Sequence, residues 1–153
     1  MENKNTFELA EQFRRARHLI SYIMSYSGIS HSEFCLINII KSHEADGGVI
    51  VSDIVSEMKV TPPAVSRSLK SLEKRGFLKR ETNALNHRNT TVRLTEKGDE
   101  AFSFACKVLS DAIDMVSKKI GDEKTKLFCD VMKDMTDIMS EYVDKLDEKP
   151  ADK

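Results

Sequence analysis

Apolar residues recur along most of this chain at helical spacing, broken at a few points rich in glycine or asparagine. In residues 6–26, Phe13, Ala16, Ile20 and Ile23/Met24 fall on one face, with Glu11, Arg14 and Arg15 elsewhere. That spacing predicts an amphipathic helix, which Ser27-Gly28 ends. From about Ser30 to His43, the apolar residues Phe34, Leu36, Ile37, Ile39 and Ile40 cover most of the circumference. A largely buried second helix is expected. Asp46-Gly47-Gly48 closes it, and Val49-Ile50-Val51 suits a short strand. Ser52 reads as the N-cap of a short helix over Asp53–Met58, with Asp53 in the first turn, where the helix dipole favours negative charge.

Lys59-Val60 then makes a turn, Thr61 stands at a cap position and Pro62 opens the next helix. Val65, Leu69 and Leu72 are its inner face; Ser66, Arg67, Lys70 and Lys74 lie outside that face. Gly76 suits the stop, and Lys74-Arg75 sit at the negative end of the helix dipole. Phe77–Glu81 and Thr90–Leu94 have strand character, joined by a polar, asparagine-containing segment 82–89 that suits a hairpin loop. Thr95 caps a long helix to about Ile120, with Phe102, Ala105/Cys106, Leu109, Ile113, Val116 and Ile120 along its apolar line. Gly121-Asp122 interrupts, and a last helix runs from about Glu123 to Leu146. The expected fold is mainly α with a small β-hairpin wing, in the order α-α-(β)-α-α-β-β-α-α.

Charge sharpens this picture. The chain of 153 residues has a net charge of only -1, but the balance is uneven. Residues 59–97 carry ten Lys/Arg against three Asp/Glu, whereas residues 1–58 carry five against eight and residues 99–153 nine against fourteen. One basic segment stands between two acidic ones, and it coincides with the second short helix and the hairpin. A local basic patch of that kind is the electrostatic footprint of nucleic-acid binding.

A helix fits the major groove, where arginine can make two hydrogen bonds to a guanine edge. The residues expected to meet DNA are Ser52, Thr61, Pro62, Ser66, Arg67 and Lys70, with His87 and Arg88 from the hairpin loop. A basic loop tip suits the minor groove, where the negative potential is strongest over narrow A·T-rich segments. Arg80 and Arg93 lie in the strands, where they suit a solvent-facing role, with Arg80 equally a further DNA contact. Pro62 and Pro63 lack the N–H groups that a helix start usually offers. Thr61 is therefore expected to cap only through the amide of Ala64, and the proline rings offer a stiff apolar edge to a thymine methyl.

Two strings, L-E-K-R-G-F-L at 72–78 and V-R-L-T-E-K-G at 92–98, together with the helix that begins at Thr61, resemble the MarR family of bacterial transcriptional regulators. The resemblance covers residues of about 30–120, and the outer helices complete the family layout. It departs at the wing, where Asn86-His87-Arg88 keeps the arginine of the family's Asp-x-Arg but not the carboxylate, and at Lys59, where glycine is common. The resemblance implies an N-terminal dimerisation helix (residues 1–29), a winged helix-turn-helix lobe (30–98), C-terminal dimerisation helices (99–146) and a frayed tail (147–153). It implies a homodimer that binds a double-stranded, pseudo-palindromic operator, most simply as a cytoplasmic repressor, and in such regulators a small aromatic ligand tends to bind between dimer base and DNA-binding lobe. His18, Tyr22, Tyr26 and Phe34 are the candidates to line that cleft.

Other chemistries find weaker footing. Cys35, Cys106 and Cys129 are unclustered and fall on or beside apolar helix faces, which suits inert, buried thiols better than a redox sensor. His31 and Cys35, four apart, share a helix with His43, near Glu33 and Glu44, but zinc needs further ligands than that pair supplies. No cofactor is implied, no metal site is assigned and no apolar run reaches the length of a membrane span. Enzyme motifs such as G-x-S-x-G, H-E-x-x-H and a phosphate-binding glycine loop are absent. The rivals to the operator-binding reading are a redox or metal sensor on the same fold and a winged-helix module that binds an acidic protein.

Overall fold

The computed structural model describes residues 4–82 and 90–147. Among these, the chain forms α1 (Lys4–Ser25), α2 (His31–Ser42), β1 (Val49–Ile50), α3 (Val51–Met58), α4 (Pro62–Lys74), β2 (Leu78–Thr82), β3 (Thr90–Leu94), α5 (Glu96–Ile120) and α6 (Asp122–Asp147). The expected order is found, in a mainly helical winged helix-turn-helix. Two compact units meet in sequence between Asp111 and Ala112, within α5.

The first unit holds the core. Leu36, Ile37 and Ile40 of α2, Ile54 of α3, and Val65, Leu69 and Leu72 of α4 pack with Val49, Leu78, Val92 and Ala105. The inner face predicted for α4 is therefore the face that is buried. The strands form one antiparallel sheet in the order β1-β3-β2. Val92 lies opposite both Val49 and Arg80 and is fully buried at its centre. Salt bridges add to this frame at the surface: Lys41 of α2 reaches Asp99 of α5 at 2.5 Å.

Helix starts differ in kind. At α2, Ser30 and Glu33 form a reciprocal capping box: the Glu33 amide donates to Ser30 Oγ (3.3 Å) and the Ser30 amide to Glu33 Oε2 (3.0 Å). At α5, Thr95 Oγ1 accepts from the Gly98 amide (3.1 Å) and donates to the Gly76 carbonyl (2.7 Å). At α3 the expectation fails. The helix starts at Val51, not Asp53, and its N-cap is Ile50, with no side-chain bond. Val51, anticipated in the strand, is thus the first helical residue; Ser52 lies one position too far in to cap and donates only weakly to Asp53 (3.4 Å).

Gly98 explains part of the V-R-L-T-E-K-G string. A Cβ there would lie 1.8 Å from the Phe77 carbonyl oxygen, so only glycine lets the first turn of α5 rest on the residue that leads into β2. Gly76, at φ +75°, makes the left-handed stop expected after α4.

The outer helices bury little within one chain. Met24 alone is buried on α1, so the predicted face through Phe13 and Ile20 is largely open. In the second unit α6 buries no residue; Phe128, Val131, Ile138, Met139 and Tyr142 are all exposed.

Candidate nucleic-acid interface

The outer face of α4 presents the residues singled out above. Thr61, Pro62, Ser66, Arg67 and Lys70 are all exposed, as is Ser52 on α3. Arg67 also borders a hollow of ≈ 250 Å³ shared with Met58, Val60 and Ala64. His87 and Arg88, expected at the wing tip, lie outside the described residues.

The start of α4 departs from the expected cap. The Ala64 and Val65 amides both point to the Thr61 carbonyl, at 2.9 and 3.3 Å, and the Thr61 side chain makes no capping bond. Prolines at the first two helical positions leave no N–H there, and the next two N–H groups are taken by the chain itself. The first two amides within the helix are therefore already bonded, and the Thr61 hydroxyl is not consumed by capping. Beside it, Val60 stands 40% exposed in the turn, an apolar neighbour to the two prolines that the pattern of the sequence did not single out. Lys59, where the family often has glycine, adopts the left-handed conformation (φ 50°). For a residue with a Cβ that costs about 1 kcal/mol, so the turn geometry is kept at some strain.

The strand arginines are engaged by the protein rather than simply facing solvent. Arg80 Nε lies 3.2 Å from Glu73 Oε2 on α4. Arg93 Nε donates to the Gly47 carbonyl (2.7 Å) and lies 3.6 Å from Glu81. These contacts fix the hairpin base to α4 and to the turn before β1.

Arg75 is where sequence reasoning saw least. The dipole argument placed it at the end of α4, and it is the C-cap residue. Its guanidinium, however, reaches Glu33 on α2 at 3.2 Å and the Gly28 carbonyl, and lies 4.4 Å over the Phe77 ring. Glu33 itself is buried. A lone carboxylate within the apolar run of α2 was the available signal, since a buried charge requires partners.

Of the four residues proposed for a ligand cleft, Tyr22 and Tyr26 meet each other, and Phe34 meets Phe102. Phe34 is half-buried and stacks on Phe102, ring centroids 5.0 Å apart. Tyr22 and Tyr26 are exposed and meet edge to face at 5.5 Å, their hydroxyls 3.1 Å apart. His18, one turn before Tyr22 on α1, lines an open concavity of ≈ 570 Å³ with Arg14, Arg17, Ser21, Ser30, His31 and Ser32. Cys35 Sγ is 3.8 Å from His31 Nε2, and among the described residues no group of three metal-ligating side chains converges. Cys35 and Cys106 are half-buried, and burial pushes the Cys106 thiol up. Cys129 is exposed rather than buried, because α6 has no core of its own to enter. Among the described residues no helix is long and apolar enough to cross a membrane.

Comparison with solved structures returns the same architecture. The chain superposes on the YusO protein from Bacillus subtilis with a TM-score of 0.70 at 20% identity, covering 86% of this chain and 92% of that one. A point mutant of S. aureus MepR gives 0.75 at 15% identity, covering 90% and 99%. S. aureus MepR in complex with DNA gives 0.70 at 18% identity, covering 84% and 96%. No curated protein matches the chain by sequence. The segment 27–88, which contains the helix-turn-helix and the first strand of the hairpin, matches the MarR family. The winged-helix lobe built as described thus coincides with the MarR-family match, and the chain as a whole has the fold of solved MarR structures, with a TM-score of 0.70 at 19% identity to one of them.

Proposed function

We propose that the protein is a ligand-responsive repressor that binds a pseudo-palindromic DNA operator as a homodimer. The carrying observation is the two-faced build of α4: Val65, Leu69 and Leu72 anchor it in the core, while Ser66, Arg67 and Lys70 stand exposed on a lobe of net positive charge. Arg67 is assigned to a base edge, where a bidentate contact to guanine is worth ~1–3 kcal/mol of discrimination. Thr61, Ser66 and Lys70 are assigned to phosphates and adjacent bases, Pro62 to a thymine methyl, Ser52 to the flanking backbone, and His87 and Arg88 to the minor groove. That MepR, a protein of the same fold, was solved in complex with DNA supports this reading.

Dimerisation is supported by what a single chain leaves uncovered. Phe7 on α1 is 77% exposed and Phe128 on α6 60% exposed, along with apolar neighbours on both helices and on α5. Apolar exposure on that scale marks an interface. Two-fold symmetry then sets the operator half-sites about one helical turn apart. The effector is assigned to the concavity beside His18, where two arginines and two histidines suit an anionic aromatic molecule. It acts by favouring a lobe spacing that no longer fits successive major grooves.

Selection of genomic DNA fragments by the purified protein tests the proposal. The wild type is expected to enrich a palindrome, with affinity falling steeply as salt rises. Arg67→Ala is expected to relax the enrichment at one symmetric position. No enriched sequence would defeat the operator reading, and a weak salt dependence would favour a protein-binding module.

A further inference from the structure

Among the described residues, Glu33 is the charged side chain that lies in the core, at 8% exposure, and the DNA contacts proposed above make no use of it. Its carboxylate accepts from the Ser30 amide and hydroxyl, both at 3.0 Å, from the Ser71 hydroxyl at 3.0 Å, and from Arg75 Nη1 at 3.2 Å to each oxygen. Nη2 of the same arginine donates to the Gly28 carbonyl, and the Arg75 carbonyl accepts from Lys97 Nζ at 2.9 Å. One side chain at the end of α4 thereby joins the turn after α1, the first turn of α2 and the entry to β2.

Stability is a poor reason for such a pair. Taking a carboxylate and a guanidinium out of water costs about what their attraction returns, and a packed apolar pair often does as well or better. An apolar pair lacks direction, however. A planar guanidinium with one arm on a carboxylate and the other on a backbone carbonyl accepts a narrow range of bearings, and a greasy contact slides. The exposed side of the same helix, nearer its start, carries Ser66, Arg67 and Lys70, which must enter a groove together. A recognition constellation of this kind tolerates displacements of about 0.5 Å.

We propose that Arg75 and Glu33 are positioning residues for base reading: they set the bearing of α4 against α2 and the α1–α2 turn. The proposal rests on the operator-binding reading above.

The paired variant Glu33→Leu/Arg75→Met separates position from stability. On the operator selected by the wild type, its melting temperature is expected to match or exceed that of the wild type. Its operator affinity is expected to fall about ten-fold, with affinity for unrelated duplex and the salt slope unchanged. Glu33→Gln, which keeps shape but removes the charge, is expected to lose about three-fold. Full operator affinity in the paired variant overturns the proposal. If that variant does not fold, wild-type discrimination between operator and unrelated DNA in Glu33→Gln overturns it instead. A salt slope reduced by about one in Arg75→Gln also overturns it, because Arg75 is then a phosphate ligand. Failure of the wild type to select any sequence is the separate failure of the operator reading, and the proposal falls with it.

Discussion

At its C-terminal end α4 is fastened by charge: Arg75 spans Glu33, the Gly28 carbonyl and the Phe77 ring, and Ser71 adds a bond to the same carboxylate. At its N-terminal start there is no such web. Two prolines remove the donors, the remaining amides turn back onto Thr61, and Val60, Pro62 and Ser66 stand in the open. The difference divides the work along one helix. The directional contacts that could compete with a nucleic acid are spent at the end that stays in the protein. The end that would enter a groove is stiffened by ring geometry, which leaves side chains uncommitted. In this winged-helix fold, the stop of α4 is thus its fastened end, and its start is the end that the proposed function uses as a probe.

The largest break in this contrast is expected from Gly98→Ala. Alanine normally favours a helix over glycine by about 1 kcal/mol, so propensity alone predicts a gain. Here the added Cβ meets the Phe77 carbonyl at 1.8 Å, and that carbonyl already accepts the Thr95 amide at 3.1 Å. Backbone has no rotamer to yield, so overpacking wins and the net cost is about 3 kcal/mol. Urea denaturation reads it directly. A midpoint equal to or above that of the wild type would show that the α5 start does not press on the fastened end.

Glu33→Ala comes next, at about 2 kcal/mol near neutral pH. It falls below the cost of breaking a fully buried pair because a third of the Arg75 side chain remains open to water. The variant also carries a pH signature. Burial pushes the Glu33 carboxyl up, but the Ser30 amide, the Ser71 and Ser30 hydroxyls and the Arg75 charge together hold it below its ordinary value. A group depressed in the folded state contributes its full stability above its unfolded pKa and loses it as pH falls through the folded one. Stability curves of wild type and variant should therefore run apart at neutral pH and converge on acidification below the ordinary carboxylate range. Curves that stay equally separated in acid would mean that the ionised form is not what fastens α4.

Legibility in the sequence follows the same division. The probe end was legible because its determinants are local: a proline start, inner apolar residues at Val65, Leu69 and Leu72, and a run of basic residues can all be read within one window. Gly76 and Thr95 were legible for the same reason. The fastened end was not, because Glu33 and Arg75 are 42 residues apart and neither residue type announces its partner. Cap identity failed where two chemistries compete over a single residue. At α3, the backbone of Ile50 turns into the helix before Ser52 can cap it. The ligand-cleft residues were placed by family layout; four-residue spacing puts His18, Tyr22 and Tyr26 along one stripe, but it carries no information about what covers that stripe.

The smallest expected effect tests the contrast most closely, because it compares like with like. Ser30 and Thr61 both hold N-cap positions with extended backbone, at φ -70° and φ -69°. By sequence rules each is a good cap, and each truncation to alanine should cost ~1 kcal/mol. Structure separates them. Ser30 Oγ receives the Glu33 amide and touches its carboxylate, so Ser30→Ala should pay that amount in full. Thr61 Oγ1 caps nothing, because the amides it would serve are either missing at Pro62 and Pro63 or already turned to the Thr61 carbonyl. Thr61→Ala should therefore change stability by no more than a few tenths of a kcal/mol while weakening operator binding through the lost hydroxyl. Chemical denaturation and operator titration of the two variants give opposite rankings if the start of α4 is a probe. Equal losses of stability would place the Thr61 hydroxyl in a cap after all, and the two ends of the helix would then differ in degree rather than in kind.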